Sequence, residues 1–376
     1  MKKIKEKARR RQHYLFYWTL RRNFKNKRWL RDCTLRFPGG APCETIRIPG
    51  NVSISDANQR EDLLNTISLF HTTVNRLSHV AGESHFIVNL DFQAVDIMYA
   101  SGALLLLAEL RNAKNIYGKL KLRCYQPRNY QIKQIMWQLG FNEIAFGVQR
   151  VQINRRDVYR WQVARGVKTK GKECGTIIQA CIGSVAPALT RPFGEAISEA
   201  MTNTVQHAYI EEIKTPYGTR PIAHNQEAWW MFSYESAKHL SVVFCDLGHG
   251  IPNTIAVRDP ALMEYINKQS LKQSIAESVS NFISDDAKII ESVISSAKTR
   301  TKTIHRGKGI LKNIAGFIDK VGDNGVVRIL SNHGEYTRRK KDNSLQKAEI
   351  FNHKQSINGT LIVLSVHLPE GVQGNA

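Results

Sequence analysis

Helical and strand-like hydrophobic periods alternate along most of this chain, and that alternation limits it to layered α/β packing. Thr45 to Pro49 reads as a short strand. Asp56 to Ala81 repeats apolar residues at helical spacing (Leu63, Leu64, Ile67, Leu69, Phe70, Val74, Leu77), which predicts an amphipathic helix. His85 to Leu90 then reads as a buried strand, Ser101 to Ala113 as a helix, Lys119 to Tyr125 as a strand and Tyr130 to Leu139 as a helix. Gly166 to Gly175, rich in lysine and glycine, has the composition of a linker. Beyond it come two helices (Thr176 to Leu189, Arg191 to Tyr209), two strands (Ala228 to Glu235, Leu240 to Asp246) and a long polar segment. A helix (Gly309 to Val321) and two strands (Gly325 to Ser331, Gly359 to Leu368) follow. At 376 residues the chain outgrows a single core, which stops enlarging near ~250 residues, so two domains are expected.

Charge is unevenly placed. The formal net charge is +22, and residues 1–31 hold thirteen Lys or Arg against one acid, Glu6, so about half of the excess sits in an N-terminal arm. Aromatics interleave with those charges (Tyr14, Phe16, Tyr17, Trp18, Phe24, Trp29), a composition suited to phosphates and bases, and nucleic acid is one expected partner. A helix docked on its own protein with a solvated basic face explains the arm equally well. The six cysteines are scattered without a CxxC pair, so neither a zinc site nor a disulfide framework is indicated, and a reduced, cytoplasmic setting fits. The longest apolar run, Ala103 to Ala108, is far short of the ~20 residues that span a bilayer, and arginines stand where a signal peptide needs apolar residues.

Three segments carry chemistry. In FGEAISEAMTNTVQHAY, the residues Phe193, Ile197, Ala200, Met201, Thr204, Val205 and Ala208 form one apolar stripe, while Glu195, Glu199, Asn203 and His207 line the other face at i, i+4 spacing. A solvated face is the ordinary explanation of such a row. VVFCDLGHGIP is a strand ending in Asp246 that turns at once through Gly248 and Gly250, so a carboxylate and closely approachable backbone meet at one point, as they also do in a plain β-turn. HRGKGIL places Gly307 and Gly309 at a helix start beside Arg306 and Lys308, a composition that cradles phosphate.

In this order and at these intervals the segments resemble the GHKL, or Bergerat-fold, family of ATPases and kinases. Glu199 with Asn203 matches the family's N box, DLGHGIP and GKGIL its glycine boxes, and Asn358-Gly359-Thr360 its closing Gly-Thr element. The resemblance implies ATP and Mg²⁺ as ligands. Glu199 would activate the nucleophile, Asn203 would hold Mg²⁺, Asp246 would accept the adenine amino group, and Arg306 and Lys308 would offset phosphate charge. The remaining nucleotide-site positions would be His207, Gly248, Gly250, Gly307, Gly309 and Thr360. His207, within EAxxNxxxHAY, points to the anti-sigma-factor serine kinase branch, and the long polar stretch of about 253–305 is similar to the family's mobile ATP lid with an extra helix or two, although a fixed helical insertion would read the same. Its length departs from the compact kinases of that branch.

FIVNLDFQAVDIMYASGALLLLAEL followed by LKLRCYQPRNYQIKQIMWQLGF resembles a STAS domain of the anti-sigma-antagonist type. Ser101 matches that family's phosphoacceptor position, while Tyr99 stands where an acid is usual; from the residues alone, a serine at a helix start is most often an N-cap. The expected organisation is a basic arm (1–44), a STAS-like domain (45–150), a boundary (151–175) and an ATP domain (176–370) built as a mixed sheet with helices on one face. The function so implied is a Mg²⁺·ATP-dependent ATPase or serine/threonine-kinase-like switch that contacts its own STAS unit, acts on an unidentified protein partner and is open to pairing as a homodimer. The alternative is a nucleic-acid-binding factor with ATP as a timing ligand. A histidine kinase fits less well, because no pair of long helices precedes the ATP segment and His71 is the only nearby acceptor.

Overall fold

The computed structural model describes residues 41–148, 150–152, 162–168, 187–209, 229–235, 239–258, 260, 263–264, 286–299 and 311–367. The basic arm and the GKG segment with Arg306, Gly307, Lys308 and Gly309 lie outside the described residues, as does most of the expected helix Thr176 to Leu189.

The fold is α/β, in two units. The first runs β1 (Cys43–Arg47), β2 (Asn51–Val52), α1 (Ala57–Ala81), β3 (Phe86–Asp91), β4 (Ile97–Met98), α2 (Ala100–Ile116), β5 (Leu120–Tyr125), α3 (Tyr130–Gln138), α4 (Phe141–Ile144) and β6 (Ala145–Phe146). Its main sheet is parallel throughout, in the order β1-β3-β5-β6, as helical crossovers require, and β2 and β4 form a separate parallel pair. Asp56 caps α1 by accepting the N–H groups of Asn58 and Gln59 at 3.0 and 3.2 Å. Gly82, at φ +53°, ends the helix.

The second unit starts earlier than expected. β7 (Gln162–Gly166), within the stretch read as a boundary, is an edge strand of a sheet completed by β8 (Trp229–Glu235), β9 (His239–Asp246), β10 (Val326–Ser331), β11 (Gly334–Lys341), β12 (Ser344–Leu345), β13 (Glu349–Asn352) and β14 (Thr360–His367). The order is β12-β11-β10-β14-β9-β8-β7, with β13 beside β11, and every described pairing is antiparallel, so the sheet is not mixed. One face carries Trp229, Met231, Val242, Phe244, Ile329, Ile362 and Leu364 against α5 (Thr190–Asn203), α6 (Gly250–Arg258), α7 (Asp286–Thr299) and α8 (Lys312–Lys320).

The opposite face is also covered. Trp230, Phe232, Val243, Cys245, Leu330 and Leu361 join the core of the first unit, whose α2 packs on β8, β9 and β14. Every residue of α2 from Ala100 to Ala113 is consequently buried. Gly102 marks the tightest approach in α2, since a Cβ there would lie 2.7 Å from the carbonyl oxygen of Val52. Ser101 is 8% exposed, in the first turn of α2, and the N-cap is Tyr99 rather than this serine.

A buried ion cluster closes the junction. Glu335 of β11 accepts hydrogen bonds from Arg60 Nη1 (3.2 Å), Arg328 Nε (2.7 Å) and Nη2 (3.0 Å) and pairs with His353 Nε2 (2.8 Å), while Arg328 Nη2 also donates to the carbonyl of Ile54 (3.1 Å). Burial alone would push the Glu335 carboxyl up, but the hydrogen bonds from His353 and Arg328 and the charges of Arg328 and Arg60 outweigh it and hold it at about 2. Burial likewise lowers Arg60 to about 10 against the raising effect of Glu335.

α7 lies within the stretch of about 253–305. Ile289, Ile290, Val293 and Ile294 are buried in the helix-side core. Asp286 Oδ2 accepts the His333 N–H at 3.0 Å, which fixes the start of α7 to the β10–β11 turn. Among the described residues no helix is long and apolar enough to cross a membrane.

Candidate functional site

The site is built around the end of α5. Phe193, Ala196, Ile197, Ala200 and Met201 bury one stripe of that helix, and the helix then widens into a π-helical turn over Thr204–Ala208. The extra residue per turn shifts the register. Thr204 and Ala208 stay buried, but Val205, expected on the stripe, is 42% exposed.

The π turn is stitched to the loop after β9. The N–H of His249 donates to Ala208 O at 2.7 Å, Thr254 Oγ1 to His207 O at 3.3 Å and Thr204 Oγ1 to Asp246 Oδ2 at 3.3 Å. Asp246 is 5% exposed, and its Oδ1 accepts the Gly248 N–H at 2.9 Å. A Cβ at position 248 would fall 2.3 Å from Ala208 O. Gly250, at φ +80°, opens α6 in a backbone region that disfavours side chains, and a Cβ there would fall 2.3 Å from Asn332 Oδ1. Thr360 sits directly across the ladder from Asp246 and shares a 3.1 Å contact with Ser331 Oγ, which also accepts the Ile251 N–H at 2.7 Å.

Asp246, Gly250, Thr254 and Thr360 line a slot of about 40 Å³ walled by Ile251, Ile255, Ile362 and Leu311. Beside the slot a more open cleft of about 670 Å³ runs along the polar face of α5, past Glu195, Glu199, Asn203 and His207 to Asn313. Asn203 and His207 line both cavities. The amide nitrogen of Asn203 is enclosed, with no hydrogen-bond partner among the described residues.

The two glutamates of the row are both engaged. Glu195 is ion-paired with Arg191 (2.8 Å) and Lys320, and the hydrogen bonds from Lys320 and then Arg191 lower its carboxyl. Glu199 accepts three backbone N–H groups from the start of α8: Lys312 on Oε1 at 2.9 Å, and Asn313 and Ile314 on Oε2 at 2.5 and 2.9 Å. Burial raises its carboxyl and those three bonds oppose the rise. Leu311, buried and left-handed at φ +70°, sets the turn that presents these donors.

The structure therefore brings Glu199, Asn203, His207, Asp246, Gly248, Gly250 and Thr360 together at the two adjoining cavities or their walls. Ser101 belongs instead to the buried junction of the two units. Ser331 and Asn332 were not singled out from the sequence, although Ser331-Asn332-His333-Gly334 carries the signature of a tight turn. Among the described residues no group of three or more His, Cys, Asp or Glu is placed to hold a metal ion.

No protein-family model, no curated protein and no solved structure matches this chain.

Proposed function

We propose that this chain binds Mg²⁺·ATP in the slot and cleft beside α5 and works as a GHKL-type regulatory ATPase or serine/threonine-kinase-like switch joined to its STAS-like unit. The observation that carries the reading is Asp246. A carboxylate held by Thr204 and the Gly248 N–H, at the floor of a slot with aliphatic walls, is suited to accept an exocyclic amino group from a flat ring. The cleft next to it takes the polar remainder of such a ligand.

Asn203, on the wall common to both cavities, would join the Mg²⁺ shell, and the ion would supply charge neutralisation between phosphates. His207, one turn on, would flank the phosphates, and the close approaches at Gly248 and Gly250 keep the wall thin. Phosphoryl transfer to Ser101 within the chain does not fit, because that serine is buried at the inter-unit junction. In this reading the acceptor is water or a Ser or Thr other than Ser101. A cytoplasmic setting belongs to this proposal.

Calorimetry with Mg²⁺·ATP on wild type and Asp246→Asn tests it. The amide turns an acceptor oxygen into a donor facing another donor, so affinity should fall by about two orders of magnitude. γ-Labelled ATP then separates released phosphate from label on protein. Folded wild type that binds no nucleotide would reject the reading.

A further inference from the structure

We infer that Glu199 occupies, in this structure, the backbone donors that a bound nucleotide's phosphates need, so that its carboxylate is a resting-state competitor of the ligand. The inference rests on the nucleotide reading above and adds a device to it. The three N–H groups that Glu199 accepts are the first-turn donors of α8, which have no partner inside the helix and lie at its positive end. Both carboxylate oxygens are committed to them.

The place matters as much as the contact. Leu311, the residue before these donors, walls the slot, and Asn313, one of them, walls the cleft. The start of α8 therefore lies where the two cavities meet. Asn203, one helical turn beyond Glu199, lines both cavities there. A ligand whose ring enters the slot and whose phosphates extend into the cleft brings negative charge to the point already filled by a carboxylate. The two anions cannot share the donors, so the carboxylate must swing away or hold the phosphates off. The narrow slot and the left-handed Leu311 belong to the same resting arrangement.

A purely structural cap and a competitor differ in what their removal does to phosphate binding. Full-length wild type, Glu199→Gln and Glu199→Asp are compared by calorimetry with adenosine and with Mg²⁺·ADP. Gln keeps the shape without the charge, and Asp keeps the charge on a stem too short to reach all three donors. Both should bind Mg²⁺·ADP more tightly than wild type, Gln by about tenfold, with adenosine affinity unchanged. Pyrophosphate should also raise the melting temperature of Glu199→Gln more than that of wild type. Equal or weaker ADP binding by both variants, with adenosine binding intact, would overturn the competition while leaving the nucleotide site standing. Wild type that binds neither adenosine nor ADP would remove the nucleotide reading and this inference with it.

Discussion

Glu335 concentrates more ionic contacts than any other described carboxylate, and its cost and benefit both come from burial. Its carboxyl titrates at about 2 instead of 4.5, so its stabilising contribution is complete above the ordinary carboxylate range and disappears as pH falls from 4.5 through 2. The shift corresponds to roughly 3 kcal/mol. Wild type should lose about that much more unfolding free energy than Glu335→Gln between pH 5 and 2, measured by urea titration at each pH. Parallel acid limbs for the two proteins would deny Glu335 that role. Nothing in the sequence pointed to it: an acid in GEYTRRKK reads as a counter-charge to its neighbours, whereas its partners Arg60 and His353 come from other elements. Asp246 was legible because its strand, its glycines and its position are contiguous. Glu199 was legible as a residue of the site, but its engagement with α8 spans 113 to 115 residues and has no local sign.

Elements were legible in proportion to their local signals. α1, α2, α3, β3, β5, β9 and β14 fall within a few residues of their expected bounds because period and punctuation agree. β11 to β13 were missed even though Asp342 and Asn343, both left-handed at φ +50° and +58°, form the kind of two-residue turn that joins paired strands. α7 has its own sign, since Ile289, Ile290, Val293 and Ile294 have clear helical spacing inside a polar segment. The helix most exposed to a test is α2. With 2.7 Å between a Cβ at position 102 and backbone that has no rotamer to give, Gly102→Ala should push α2 away from β2. The expected cost is about 1–3 kcal/mol by thermal or chemical denaturation. An unchanged stability would mean that the α2–β2 contact yields more easily than the geometry implies.

Across the molecule, the two units share one continuous core rather than touching through a polar seam. Such a junction should unfold in a single calorimetric transition. Residues 162–376 expressed alone should expose Trp230, Phe232, Val243 and Leu361 and bind a hydrophobic dye or aggregate. Two separate transitions, or a soluble isolated second unit with no dye binding, would contradict that cooperativity. The sequence did not reveal the shared core. In retrospect the runs WWMF in β8 and VVFC in β9 carry the sign, because strands that are apolar at successive positions are buried on both faces.

The burial of α2 on all sides also sets a schedule for the chain's synthesis. Its outer surface is finished by residue 116, yet part of the sheet that covers it, β14, begins only at residue 360. At ~5–20 residues per second, the nascent chain spends on the order of tens of seconds with that leucine-rich surface uncovered. Completion of the last strand, not of the first unit, therefore ends the interval in which a chaperone has a reason to hold it.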